Sequence, residues 1–208
     1  LCAGISFAQG QLPPQLMPPH PPEKMGKRYF DIDAKRAVAN IFSDDALPRS
    51  REFKRIDSTT YVGWLFEGVY KHEHAADYLG YKNAIVPLER AMDLIERDYP
   101  KALATRTGDI LVHYPVRIIQ LDYTMIANYL MQCYSNTDQP DKAYNMLRRT
   151  LKWKMQMHFY MDAYDYLAWI VHRNRFYTSS KYSFLKNSIN DNELLANRYL
   201  DTSLVMIA

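Results

Sequence analysis

The side chains best equipped for chemistry in this chain are His72-Glu73-His74, with Asp77 close behind. Imidazoles two residues apart project from different sides of a helix, because helical neighbours recur at three and four residues. A helical zinc pair needs i, i+4 spacing. In a loop the two histidines could hold a metal only if Asp77 joined them, and no second ligand motif accompanies them. The pattern favours a polar turn between helices, and no metal or other cofactor is expected. A second set, Asp162, Asp165, Trp169 and His172, recurs at steps of three and four and so shares one helix face. Carboxylates and an imidazole on one face are the components of general acid–base catalysis. They serve equally as a polar surface around an aromatic anchor. Cys133 has no histidine at a catalytic spacing and lies in an apolar helical pattern, so it reads as buried and inert. The chain lacks a Gly-rich phosphate loop, a nucleophile elbow and a paired-Cys metal motif. These features point away from an enzyme.

The 26 basic and 23 acidic residues are mixed along the chain, so no basic stripe suits a nucleic acid. Arg173, Arg175, Phe176 and Tyr177 interleave charge with aromatic rings, and read as a helix end leading into a packed turn. Leu1 to Phe7 is short, apolar and uncharged, and Ser6-Phe7-Ala8 fits the small-x-small rule of signal peptidase. Residues 1–8 are therefore expected to be the end of a secretory signal. A buried first strand or helix is the rival reading, and Cys2 leaves a lipoprotein signal open. Pro13, Pro14, Pro18, Pro19, Pro21 and Pro22 make residues 9–29 a linker of extended polyproline II character, or alternatively an SH3-type ligand. With the signal removed, Cys133 would be the one thiol left, which excludes an internal disulfide. No run of about 18 apolar residues occurs, so no transmembrane span is expected in the mature part.

Residues 30–208 carry the folded body. Apolar residues make up 48% of the chain, enough to fill a core. Ala34, Ala37, Val38, Ile41 and Phe42 give a first helical stripe, broken by Ser43 to Pro48. The periodicity then predicts one helix over Ser50–Tyr70 and a third starting between Asn83 and Pro87 and stopping at Pro100. Lys101 to Tyr114 reads as a loop with a short helix. Further helices are expected over Val116–Tyr134, from Pro140 through Leu151, over Met161–Arg173 and, briefly, near Lys181–Ile189. Asn190 with Glu193 three residues on reads as a capping box for a last one, still running at Ala208, so the domain is expected to continue beyond it. No alternating strand run of useful length appears. The fold class is all-α, with about seven to eight helices stacked as antiparallel pairs after the Pro-rich segment.

Small and large residues recur along these helices. Ala127, Leu130, Met131 and Tyr134 are followed, nine residues after Tyr134, by Ala143 and Leu147. Tyr164, Leu167, Ala168 and Val171 precede Ser180 and Phe184, and Tyr61, Trp64, Leu65 and Gly68 precede Ala84, Leu88 and Ala91 with about seven extra residues between. Over Thr59 to Asn187 the chain resembles the tetratricopeptide-repeat family. Leu65, Met131 and Ala168 stand where that family has Gly, which keeps a different αα-hairpin stack open. In its style the chain also resembles an envelope protein of a Bacteroidetes-type bacterium: a signal ending in Ala-Gln, 17 tyrosines and helical repeats. The resemblance implies a concave groove carrying Asp162, Asp165, Trp169 and His172, with Asn128, Gln132 and Ser135 in the matching positions of the preceding unit. It implies a non-catalytic scaffold, exported to the periplasm or the outer membrane, that binds other envelope proteins or peptides, as in a secretion or gliding assembly. A peptide- or glycan-binding module for nutrient uptake is the alternative; its mark would be an aromatic platform exposed on the groove.

Overall fold

The structure is a computed structural model that describes Arg36 and residues 39–105, 114–153 and 157–205. The expected signal and Pro-rich linker lie outside the described residues. Eight helices are described: α1 (Ala46–Asp57), α2 (Tyr61–Glu73), α3 (Tyr78–Asp98), α4 (Pro100–Leu103), α5 (Tyr114–Asn136), α6 (Pro140–Thr150), α7 (Met157–Arg173) and α8 (Ile189–Val205). Among the described residues there is no strand, and no helix is long and apolar enough to cross a membrane.

Several boundaries differ from expectation, each for a local reason. Ile41 and Phe42 lie in turns, and Pro48 sits inside the first turn of α1, where a missing N–H costs nothing. The single helix expected over Ser50–Tyr70 is two. The Asp57 carboxylate accepts from the backbone N–H and the hydroxyl of Thr59, an Asx turn that competes with helix and leaves Thr60 extended. Helix α3 begins earlier than expected, because the Asp77 side chain accepts from the Gly80 N–H and caps it. Pro87 is then buried inside α3, so the residues that looked inserted between the second and third helices are helix themselves. Near Lys181–Ile189 there are turns, not a helix. They are held by fully buried Asn192, whose amide donates to the carbonyls of Arg175 and Tyr177 and accepts from the Lys186 N–H. The helix paired with α7 is therefore α8, and Ser180 and Phe184 lie in the connection. The cap of α8 is Ser188, whose Oγ accepts from the Asp191 N–H at 3.1 Å, two residues ahead of the expected box.

The α5–α6 turn follows expectation closely. Asp138 adopts φ 54°, and the Gln139 N–H reaches back to the Tyr134 carbonyl at 2.8 Å, closing α5 in a Schellman arrangement. Pro140 then opens α6 at a position where its fixed φ suits a helix start.

Side-chain pairings give the direction of four of the packings. Tyr61 meets Tyr99, Gly68 meets Leu88 and His72 meets Tyr81, so α2 and α3 are antiparallel. Tyr123 bonds Glu96 and Tyr134 bonds Glu89, so α3 and α5 are antiparallel. Tyr61 bonds Asp122 and His72 bonds Gln132, so α2 and α5 are parallel. Tyr164 lies against Tyr199, and Arg175 against Glu193, so α7 and α8 are antiparallel. The α2–α3 and α7–α8 pairs thus share the antiparallel relation, and the core runs continuously through the helices.

Helices α2 and α3 approach closely at Gly68. A Cβ there would stand 2.6 Å from Cγ and Cδ2 of Leu88 and 3.2 Å from its backbone N. Glycine disfavours helix by about 1 kcal/mol, so its presence marks the contact that needs it. Gly68→Ala should lower unfolding free energy by about 1–2 kcal/mol in urea titrations, because overpacking outweighs the gain in propensity. Unchanged or raised stability would show that α2 and α3 can separate without loss.

Candidate binding groove

Helix α5 uses opposite faces differently. Ile126, Ala127, Leu130, Cys133 and Tyr134 are buried, while Asn128, Gln132 and Ser135 follow one another half-buried along an outer strip. Helix α7 divides in the same way, with Ala163, Leu167, Ala168, Ile170 and Val171 inside and Asp165 and Trp169 outside. The outer strips flank an open groove of about 560 Å³. Gln132, Ser135, Asp165 and Trp169 line it, so four of the seven sequence-nominated residues are brought together.

The other three are placed differently. Asn128 lies one turn ahead of Gln132, outside the lining. Asp162 is exposed one turn before Tyr166 and adds charge beside that ring. His172 is exposed and outside the lining, and its carbonyl accepts from the Arg175 guanidinium. Met131, Asn136, Tyr166 and Arg173 complete the groove. Arg173 stands four residues after Trp169, with its guanidinium 5.1 Å from the indole centroid. That i, i+4 step is the available signal, masked in the sequence by the basic and aromatic residues that continue to Tyr177.

The groove is polar at its ends and apolar between. Asp165 and Arg173 are eight residues apart on α7, about 12 Å along the axis. Trp169 lies midway and is 42% exposed, although Ala168 and Ile170 beside it are buried. Burial, with the nearby Asp162 and Asp165 carboxylates, raises the pKa of the Tyr166 hydroxyl and keeps it protonated as a donor. The Gln132 Oε1 faces His72 Nε2 at 3.0 Å, which leaves the Gln132 NH2 without a hydrogen bond among the described residues. Two rows of hydrogen-bonding groups around an apolar wall can hold an extended chain, or a ring stacked on the indole.

The His72-Glu73-His74 segment does not converge on a metal position. His72 is 9% exposed and packed on Tyr129, with ring centroids 4.1 Å apart. His74 stacks on Tyr70 at 4.0 Å and its Nδ1–H donates to the Tyr70 carbonyl, while Asp77 is committed to capping α3. Among the described residues no three His, Cys, Asp or Glu side chains converge to hold an ion. Cys133 is buried, and burial pushes its thiol up to about 12. Comparison with protein-family models, with curated proteins and with solved structures gives no match.

Burial lowers the pKa of His72 from its ordinary 6.5, and the opposing influence of Glu73 and of the Gln132 bond does not restore it. A neutral ring donates Nε2–H to Gln132 and leaves a bare Nδ1 lone pair 3.4 Å from Glu73 Oε1. Since the folded state binds this proton more weakly than the unfolded one, His72 contributes stability above pH about 6.5 that is lost as pH falls below it. Urea titrations from pH 7.5 to 5 should show a steeper loss for wild type than for His72→Gln. Equal slopes would mean that the ring is already charged, or freely chargeable, in the fold.

Proposed function

We propose that this chain is a non-catalytic binding module and that its α5–α7 groove takes an extended segment of a partner protein. The observation that carries this reading is Trp169. A tryptophan left 42% exposed beside buried neighbours, over an open groove with a carboxylate and a guanidinium at its ends, is an anchor for an apolar side chain. Gln132 offers an amide N–H2 to a backbone carbonyl, and Asp165 accepts from a backbone or side-chain donor. The signal-like residues 1–8 and the tetratricopeptide-like spacing support an exported scaffold, in the periplasm or associated with the outer membrane, whose partners are other envelope proteins. The exposed Trp169 beside Tyr166 favours a second reading, a glycan ring stacked on the platform and held by Asp165 and Gln132.

Peptides selected by display on the purified protein would test the first reading. Trp169→Ala should weaken their binding by about 2 kcal/mol, near thirtyfold, and Asp165→Asn by less, with unchanged circular dichroism. Peptides that bind wild type and both variants alike would place the site elsewhere. Soluble oligosaccharides that perturb Trp169 fluorescence, with no peptide selected, would favour the glycan.

A further inference from the structure

A second open depression lies on the other side of α7. Tyr164, five residues before Trp169, points about 140° away from it around the helix. There the C-terminal end of α6 meets α7 and encloses about 450 Å³, lined by Asn145, Arg148, Arg149, Leu151, Lys152 and Tyr164. Five of these six side chains carry N–H or O–H donors, and no carboxylate is among them. Two carboxylates, Asp93 and Glu96, are bound to Arg149. Its Nη2 meets Asp93 Oδ1 and Glu96 Oε2 at 2.7 Å each, and its Nε meets Glu96 Oε2 at 3.0 Å. Arg149 is thus held in place with Nη1 carrying no hydrogen bond among the described residues. Arg148 and Lys152 make no ion pair among the described residues.

Cations in a last helical turn commonly serve the helix itself, by facing its free carbonyls. Here three of those carbonyls are already used. Leu147, Arg149 and Thr150 accept from the N–H groups of Leu151, Lys152 and Trp153. The side-chain donors of Arg148 and Lys152 carry no hydrogen bond among the described residues and face a ligand freely. Guanidinium groups bind carboxylate and phosphate oxygens through charge-assisted hydrogen bonds, and one that is pre-set by carboxylates loses little freedom on binding. We infer that the α6–α7 depression binds a phosphate-type oxyanion, either as the free ion or as the head of a phosphate ester. Arg148 and Lys152 supply the charge, Arg149 a fixed donor, and Asn145 and Tyr164 neutral donors.

The test is calorimetric titration of the full chain at low salt with inorganic phosphate and, separately, with phenyl phosphate, against chloride at matched ionic strength. Saturable binding of either phosphate, absent with chloride, is expected. It should weaken at least about tenfold in the exposed double variant Arg148→Gln/Lys152→Gln and be unaffected by Trp169→Ala. Tighter binding of phenyl phosphate would assign the site to esters, and equal binding to the ion. No saturable binding, or binding equal in wild type and a folded double variant, overturns the site. The α5–α7 groove stands or falls independently of either result.

Discussion

Four of the polar contacts that pin helix α5 to α2 and α3 set its register. Tyr123 donates to Glu96 at 2.6 Å and Tyr134 to Glu89 at 2.5 Å, near opposite ends of the α3 contact. On the α2 side, Tyr61 donates to Asp122 at 2.9 Å and His72 to Gln132 at 3.0 Å. Apolar packing is non-directional and would tolerate a one-turn slip of α5, whereas four such bonds would not survive it together. A slip would strand buried hydroxyls and a buried carboxylate, each at a cost of about 1–3 kcal/mol or more.

The most demanding of these points is Asp122. It is buried, and burial pushes its carboxyl pKa up, against the opposing pull of Arg36 and the Tyr61 hydroxyl. Arg36 Nη2 lies 2.6 Å from Asp122 Oδ1, which ties the segment before α1 to the middle of the stack. A buried pair of this kind adds little net stability compared with apolar packing, but it penalises every arrangement that separates the partners. It therefore selects one arrangement of α2, α5 and the preceding segment from several with similar apolar burial.

The groove is a consequence of that arrangement. Once α5 is fixed, its outer strip must face α7, and Gln132 sits between buried His72 on one side and solvent on the other. The same residue thus joins the core to the groove, and the orientation of its amide is decided from inside. On α7, alternation of buried Ala168 and Ile170 with Trp169 leaves an indole wall 42% exposed over the groove. The basic depression beyond Tyr164 arises on the opposite side, where α3 supplies Asp93 and Glu96 to hold Arg149.

Helical periodicity, the Pro140 start and the Pro100 stop were legible in the chain, because each is a local property of residue type. So was the shared face of Asp165 and Trp169, which follows from a four-residue step alone. Other features were not. The break at Ser58–Thr60 depends on one carboxylate turning back on its own backbone, and the non-helical connection before α8 depends on Asn192 reaching residues 15 and 17 positions away. The partners of Arg149, Asp122 and His72 come from helices more than fifty residues distant in sequence. Residue order alone determined that this protein is a set of amphipathic helices with small residues at their contacts. Which carboxylate meets which tyrosine, and so which faces remain open to a ligand, was decided by tertiary packing, because those pairings exist only after distant helices have settled into one register.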